Sequence, residues 1–275
     1  MGSSRNRLLV VPREHGAWGL LLVPFFTGAA VGFWSGGRAL PLAPLLLAAV
    51  ALFWLRTPVE NWAGTSALRA QPGEELRRVR ITLALLATVA VLALALVFWN
   101  SRSWALAWIG AGAAAAVLAQ ALLKKAWRKA RTAAQMIGAA GLTSTAPAAY
   151  LVATGHWTTA AWALWIANLM FAINQIHFVH LRIHAAKTTT RAEKLAAGRG
   201  FLAGQLVLML AIGLACGLGP FPWYAALAFV PLLCRGFAWF SQKSAPLAVR
   251  VLGWSELRIA IVFALLLVWG VRLGS

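Results

Sequence analysis

The sequence contains no aspartate, and its only acidic residues are six glutamates in 275 positions. Charged residues make up 11% of the chain, about half the share that a soluble domain carries. Hydrophobic residues make up 61%. This shortage of charge excludes an ordinary soluble protein. The two cysteines, Cys216 and Cys234, fall in apolar segments and are interpreted as small core residues, so they indicate little about the redox compartment.

Apolar runs of about 20 residues recur along the chain, and each is long enough to cross a bilayer as a helix. The sequence therefore predicts an all-α, multi-pass membrane bundle that forms a single domain over residues 1–275. We predict about nine spans, at residues 14–34, 40–56, 79–99, 103–122, 134–153, 157–180, 201–219, 222–240 and 252–272.

The net charge of +19 is distributed unevenly between the two sides of these spans. All of the 25 lysine and arginine residues except Arg38, Arg102 and Arg272 fall on one side. This bias predicts a cytoplasmic amino terminus and a carboxyl terminus outside. The basic residues are thus mainly topogenic, and membrane lipids are the expected partners. We expect no nucleic-acid partner because no soluble basic fold accompanies the charge. The sequence does not indicate the oligomeric state.

The two longest connections on the predicted cytoplasmic side are residues 56–80 and 180–200, which follow the second and the sixth span. Because these connections are four spans apart, they suggest a pseudo-repeat of four helices plus a ninth helix. No residue-level repeat accompanies this spacing.

Three glutamates lie at the predicted cytoplasmic ends of spans, each with an arginine close in sequence. These pairs are Glu14 with Arg13, Glu60 with Arg56 and Glu256 with Arg258. One interpretation is that each is an interfacial ion pair that fixes the depth of its helix. The functional interpretation is that the three glutamates line one cavity that faces the cytoplasm, because ionisable residues inside a membrane are costly.

Span six carries four polar side chains at steps of three, three and four residues, namely Asn174, His177, His180 and His184. This spacing places them on one helical face. Three imidazoles on one face could ligate a metal ion or a haem iron. Equally, a helix that leaves the membrane could place them among lipid phosphates, where histidine titrates near neutrality. Both interpretations remain open.

The first span begins with "PREHGAW", which sets Arg13, Glu14 and His15 side by side. We hypothesise that Arg13 binds an anionic group as a bidentate fork and that Glu14 or His15 accepts a proton. The alternative is an ordinary helix start, in which Pro12 occupies the first turn and the helix dipole favours Glu14. That alternative does not explain why a histidine occupies position 15.

The same motif, followed by "LLVPF" at residues 21–25, resembles the signature of the YwiC-like family of bacterial membrane proteins. "RTPVE" at 56–60 and "GWSELR" at 253–258 resemble further family segments. "FVHLRIH" at 178–184 departs from the family pattern, because histidines replace some of its basic residues. The resemblance and the charge bias together predict a location in the bacterial inner membrane. The family implies no established activity.

The nine spans, with long cytoplasmic connections after the second and sixth, are also similar to the UbiA superfamily of intramembrane prenyltransferases. Those enzymes hold magnesium and a prenyl diphosphate with aspartate-rich motifs, because magnesium prefers hard carboxylate oxygens. This chain has no aspartate. It offers Glu60 and Asn61 after span two, and Asn174 and Gln175 in span six. If the fold is shared, we expect the site to be rebuilt without the usual magnesium chemistry.

Three functional classes follow: a lipid- or isoprenoid-handling protein, a proton-coupled transporter, and a haem- or metal-binding protein. The sequence does not say whether it is an enzyme or which cofactor it holds. The first class leads on architecture alone. Against transport, the sequence shows no clear pair of interrupted helices in corresponding halves.

The candidate site residues are grouped by role. The predicted catalytic residues are Glu14, His15, Glu60 and Glu256. The predicted ligand-binding residues are Arg13, Asn61, Asn174, His177, His180 and Arg182, and the alternative metal ligands are His177, His180 and His184.

Overall fold

The computed structural model describes residues 9–11, 15–62, 70–126, 131–186, 188, 190–219, 221–242 and 247–274. Within these ranges every regular element is a helix. The helices are α1 His15–Trp34, α2 Leu42–Trp62, α3 Glu74–Ser101, α4 Trp104–Ala126, α5 Arg131–Thr143, α6 Thr145–Thr154, α7 Thr159–His184, α8 Arg191–Gly217, α9 Trp223–Ala226, the 3-10 turn Leu227–Phe229, α10 Val230–Ser241 and α11 Val249–Gly274.

Nine stretches in the described part of the chain are long and apolar enough to cross a membrane, which confirms the predicted multi-pass helical fold. Seven of these stretches are single helices. The fifth joins α5 and α6, and the eighth joins α9, the 3-10 turn and α10. We call the helix ends that the charge bias assigns to the cytoplasm the inner ends.

The span boundaries differ most at the start of the seventh span. α7 continues to His184, and α8 begins at Arg191 instead of the predicted 201. The early start has a local cause, a capping box at Thr190. The Thr190 hydroxyl accepts from the Glu193 amide, and the Glu193 carboxylate accepts from the Thr190 amide. Most of the predicted connection 180–200 is therefore helical.

The largest hydrophobic core lies where α7 packs against α8, α11 and the 3-10 turn. Phe171 of α7 stacks on Phe263 of α11 with ring centroids 4.3 Å apart. Phe229 meets the same Phe263 ring edge-on at 5.4 Å. Because aromatic rings bury large apolar areas, these contacts hold the second half of the bundle together.

α1 crosses α6 closely because small residues line the contact. A Cβ at Gly28 would collide with the backbone carbonyl of Ala146, and a Cβ at Gly32 would lie 2.8 Å from the Cβ of Ala153. α3 and α4 instead lie at the periphery, and only 6% of the apolar stretch of α4 is buried. Such a helix presents its side chains to lipid.

At this crossing span five is interrupted, whereas α1 is continuous and contains a proline. The fifth span breaks between α5 and α6 at Ser144. α1 contains Pro24, which has no amide proton for the carbonyl of Leu20. The Thr145 hydroxyl donates to the Leu21 carbonyl at 3.0 Å and so joins the interruption in span five to α1. Because α1 is one continuous helix, spans one and five do not form an interrupted pair.

Candidate functional site

An ion pair between Arg235 and Glu256 lies inside the bundle. Arg235 is in α10 and Glu256 is in the third turn of α11. Arg235 Nη1 donates to Glu256 Oε2, and the two side chains are only 12% and 7% exposed. Isolated charges are too costly in such surroundings, so each group depends on the other.

Helix α7 completes this pair from a third direction. Arg235 Nη2 donates to Asn174 Oδ1 at 3.0 Å. Gln175 Nε2 makes a long hydrogen bond of 3.5 Å to the backbone carbonyl of Glu256. Three helices, α7, α10 and α11, therefore meet at one guanidinium group.

A second arginine, Arg182, lies about two turns beyond Asn174 along α7, towards its inner end. The ring of Phe178 links the two cations, because its centroid is 4.1 Å from Arg235 Cζ and 5.9 Å from Arg182 Cζ. Both distances suit cation–π attraction. Arg182 therefore shares an aromatic ring with Arg235, the partner of Glu256. We call Asn174, Arg182, Arg235 and Glu256 the arginine–glutamate cluster.

Several buried polar atoms at and beside this cluster have no hydrogen-bond partner among the described residues. They include Arg235 Nε and Glu256 Oε1. Gln205 of α8 is fully buried, and both of its amide atoms are unpartnered. Its Nε2 lies against the backbone of Gly236, the residue after Arg235. Since buried polar groups normally have partners, these atoms mark a place where a polar ligand could bind.

The predicted ligand-binding residue Asn61 holds the chain segment before α1. Its amide donates to the carbonyl of Leu9 at 2.7 Å and to that of Thr57 at 3.1 Å. Trp54 Nε1 donates to the Val10 carbonyl at 2.8 Å. The structure thus gives Asn61 a structural role in fixing residues 9–11 to the inner end of α2. Its Oδ1 atom is buried without a partner in the described part of the chain.

The neighbouring Glu60 forms an ion pair with Arg56, in which Nε and Oε1 are 3.0 Å apart. This contact within α2 agrees with the interpretation of an interfacial pair. Glu256 does not pair with Arg258, its neighbour in sequence, but with Arg235.

Part of the "PREHGAW" motif lies outside the described residues. Arg13 and Glu14 are not described, and for His15 only the backbone at the start of α1 is described. Trp18 of α1 contacts Phe53 at 4.7 Å and Trp54 at 6.4 Å between ring centroids. The inner end of α1 therefore lies beside that of α2. The roles of Arg13, Glu14 and His15 stay predictions.

The three histidines of α7 have separate surroundings. His177 packs on α8 at Gly204, where an added Cβ would lie 3.2 Å from His177 Nδ1. His180 Nδ1 is 3.3 Å from the Thr132 hydroxyl, and His184 Nδ1 is 2.8 Å from the His180 carbonyl. In the part of the chain that is described, no three His, Cys, Asp or Glu side chains are placed to hold a metal ion together. The three histidines therefore form no joint metal site in this structure.

Comparison with known protein families identifies the chain from its first half. The family described as YwiC-like protein matches residues 11–150, just over half of the sequence. The chain belongs to the YwiC-like family. It is a multi-pass membrane protein of that family. The matched part covers α1 to α5 and the first half of α6, so this YwiC-like protein carries its arginine–glutamate cluster beyond the matched region.

No curated protein and no solved structure matches the chain. The similarity to the UbiA superfamily therefore stays a prediction from the number of spans and the position of the connections.

The structure of this YwiC-like protein brings together three of the predicted site residues: Asn174, Arg182 and Glu256. The sequence analysis missed Arg235, which it counted among the topogenic arginines. A signal was present, because Arg235 is a lone cation inside the apolar span 222–240. Gln205 gave a similar signal in the seventh span. What the sequence could not give is the pairing of Arg235 with Glu256.

Proposed function

We propose that this protein binds an anionic, membrane-soluble ligand, a lipid or an isoprenoid with a charged headgroup, at the arginine–glutamate cluster. The ligand would enter from the cytoplasmic side of a bacterial cell membrane. The observation that carries this proposal is the buried Arg235–Glu256 pair with its unpartnered Arg235 Nε and Glu256 Oε1 atoms.

The position of the cluster suits a headgroup. Asn174, Arg182 and Glu256 all lie in the inner portions of their helices, where a lipid headgroup meets the hydrocarbon region. Arginine is the residue best suited to bind carboxylate or phosphate, because its planar donors match the oxygens of those groups. The apolar helices around the cluster would hold the lipid chain.

Each residue of the cluster has a distinct role in the proposal. Arg235 and Arg182 attract the anion, and Asn174 orients the Arg235 guanidinium through its 3.0 Å hydrogen bond. Glu256 holds Arg235 in place and is the candidate proton acceptor. We further propose that Arg13, Glu14, His15 and Glu60 contribute to binding this ligand.

The experiment that tests this function is native mass spectrometry on protein released gently from detergent micelles. We expect a retained mass that matches an anionic lipid or isoprenoid. A haem or metal adduct that disappears on His180→Ala would instead support the third class of function. Protein that carries no adduct would contradict the proposed binding.

A second candidate is proton-coupled movement of the same anion across the membrane. The observation that favours it is the interruption between α5 and α6, where the Thr145 hydroxyl bonds to α1, since broken helices often mark transporter sites. In proteoliposomes with a trapped pH-sensitive dye, addition of the retained anion would then change the internal pH. Glu256→Gln should abolish the change.

A further inference from the structure

The charges of the arginine–glutamate cluster do not cancel. Arg182 and Arg235 contribute two positive charges and Glu256 contributes one negative charge, which leaves one positive charge. Aspartate is absent from the whole sequence. No second described carboxylate pairs with either arginine in the contacts that the structure shows.

Other described cations near these helices are directed elsewhere. Lys194 of α8 is buried, and its Nζ donates to the carbonyls of Gln242 at 2.7 Å and Trp239 at 3.4 Å. Arg250 and Arg258 of α11 are exposed. His177 and His180 contact Gly204 and Thr132, as described above. The charge that a buried ligand would meet is therefore set by the cluster itself.

Two of the five N–H donors of Arg235 have partners in the cluster. Nη1 donates to Glu256 and Nη2 donates to Asn174, whereas the buried Nε has no partner among the described residues. Arg235 thus keeps a buried donor, Nε, for an anionic oxygen. The unpartnered Glu256 Oε1 carries negative charge, and it would repel a second anionic group.

We propose that the cluster selects headgroups with a single negative charge, such as a phosphodiester or a carboxylate, over diphosphates, and that Glu256 sets this selection. The inference rests on the proposed function. One negative charge neutralises the cluster, whereas two or three leave an excess negative charge in a medium of low dielectric constant, where uncompensated charge is costly. Without the Glu256 charge, the cluster carries two positive charges instead of one, so it can neutralise a headgroup with two negative charges.

The test uses three lipids with the same chains: dioleoyl phosphatidylglycerol, dioleoylglycerol pyrophosphate and neutral dioleoylglycerol. Each is titrated into the purified full-length protein in micelles, and bound lipid is counted by native mass spectrometry. We expect the wild-type protein to prefer phosphatidylglycerol over the pyrophosphate by about tenfold, which corresponds to about 1.4 kcal/mol.

Glu256→Gln should lower the ratio of phosphatidylglycerol binding to pyrophosphate binding by about tenfold, so that the preference is lost or inverted. Glu256→Asp should retain the preference because the charge is kept. Glu74→Gln is the matched control, since Glu74 is an exposed glutamate of α3 that pairs with Arg78. The control should bind as the wild-type protein does. Arg182→Gln, at the partly exposed end of α7, should weaken phosphatidylglycerol binding about tenfold even if Glu256→Gln fails to fold.

The outcomes separate the two proposals. If the wild-type protein binds neither charged lipid better than dioleoylglycerol, the proposed function and the inference both fail. If it binds both charged lipids equally, or prefers the pyrophosphate, the charge selection is overturned while anion binding stands. An unchanged preference in a folded Glu256→Gln protein would also overturn it, as would unchanged phosphatidylglycerol binding by Arg182→Gln.

Discussion

Arg235 lies within an apolar helix, and its guanidinium has partners on two other helices. One is the carboxylate of Glu256 in α11 and the other is the amide oxygen of Asn174 in α7. Such a pair adds little net stability over a well-packed apolar pair, because both ions must be desolvated. Its presence in this position therefore fits a role in binding better than a role in folding.

This argument predicts the stability of variants. Arg235→Leu leaves Glu256 buried without its partner and should lower the free energy of unfolding by about 3–5 kcal/mol. The double variant Arg235→Leu with Glu256→Leu should recover most of that loss. Thermal and chemical unfolding in micelles would measure both, with Arg258→Leu as the exposed control. A double variant no more stable than Arg235→Leu would show that the pair is needed for folding.

The sequence predicted individual residues of the cluster but not their pairing. Glu256, Asn174 and Arg182 stood out because polar residues inside spans are rare and costly. Arg258 is only two residues from Glu256 and was the natural partner to choose. Residues two apart on a helix point in different directions, so this pair could not form within α11. The true partner comes from α10, and only packing of the helices reveals it.

At the scale of elements, the close approach of α1 and α6 depends on Gly28. Any Cβ there would collide with the Ala146 carbonyl. Gly28→Ala should therefore push the helices apart and lower the free energy of unfolding by about 1–3 kcal/mol.

Gly19→Ala in the same helix provides a matched control, because a Cβ at Gly19 meets nothing within 4 Å. That variant should be neutral or slightly stabilising, since alanine favours helix more than glycine does. Thermal unfolding in micelles measures both variants. Equal melting temperatures for the two would contradict the described crossing.

Hydrophobic runs predicted the existence of all nine spans but not every boundary. The first turns of α8, around Glu193 and Lys194, are too polar for a hydropathy window and were assigned to a connection. A capping box starts the helix there, and Lys194 is buried under the end of α10. The break at Ser144 falls among three hydroxyl residues, Thr143, Ser144 and Thr145, which the sequence analysis assigned to the interior of the span 134–153.

The location of the cluster at the cytoplasmic side depends on the orientation of the whole molecule. That orientation rests on the distribution of lysine and arginine alone. Single cysteines at Ala39, between α1 and α2, and at Gln71, before α3, would test it in a background without Cys216 and Cys234. Both positions are exposed.

With a membrane-impermeant maleimide, we expect Ala39→Cys to react in intact cells and Gln71→Cys to react only after the membrane is opened. The reverse pattern would place the arginine–glutamate cluster at the outer surface. The proposed entry from the cytoplasm would then fail, although binding itself could remain.

The central claim is that the Arg235–Glu256 pair binds an anionic lipid or isoprenoid, and native mass spectrometry of two proteins tests it most directly. The wild-type protein is compared with the double variant Arg235→Leu and Glu256→Leu, which has the same net charge. We predict an anionic lipid adduct on the wild-type protein and its loss from a folded double variant. Equal retention by both proteins, or no adduct on the wild-type protein, would contradict the claim.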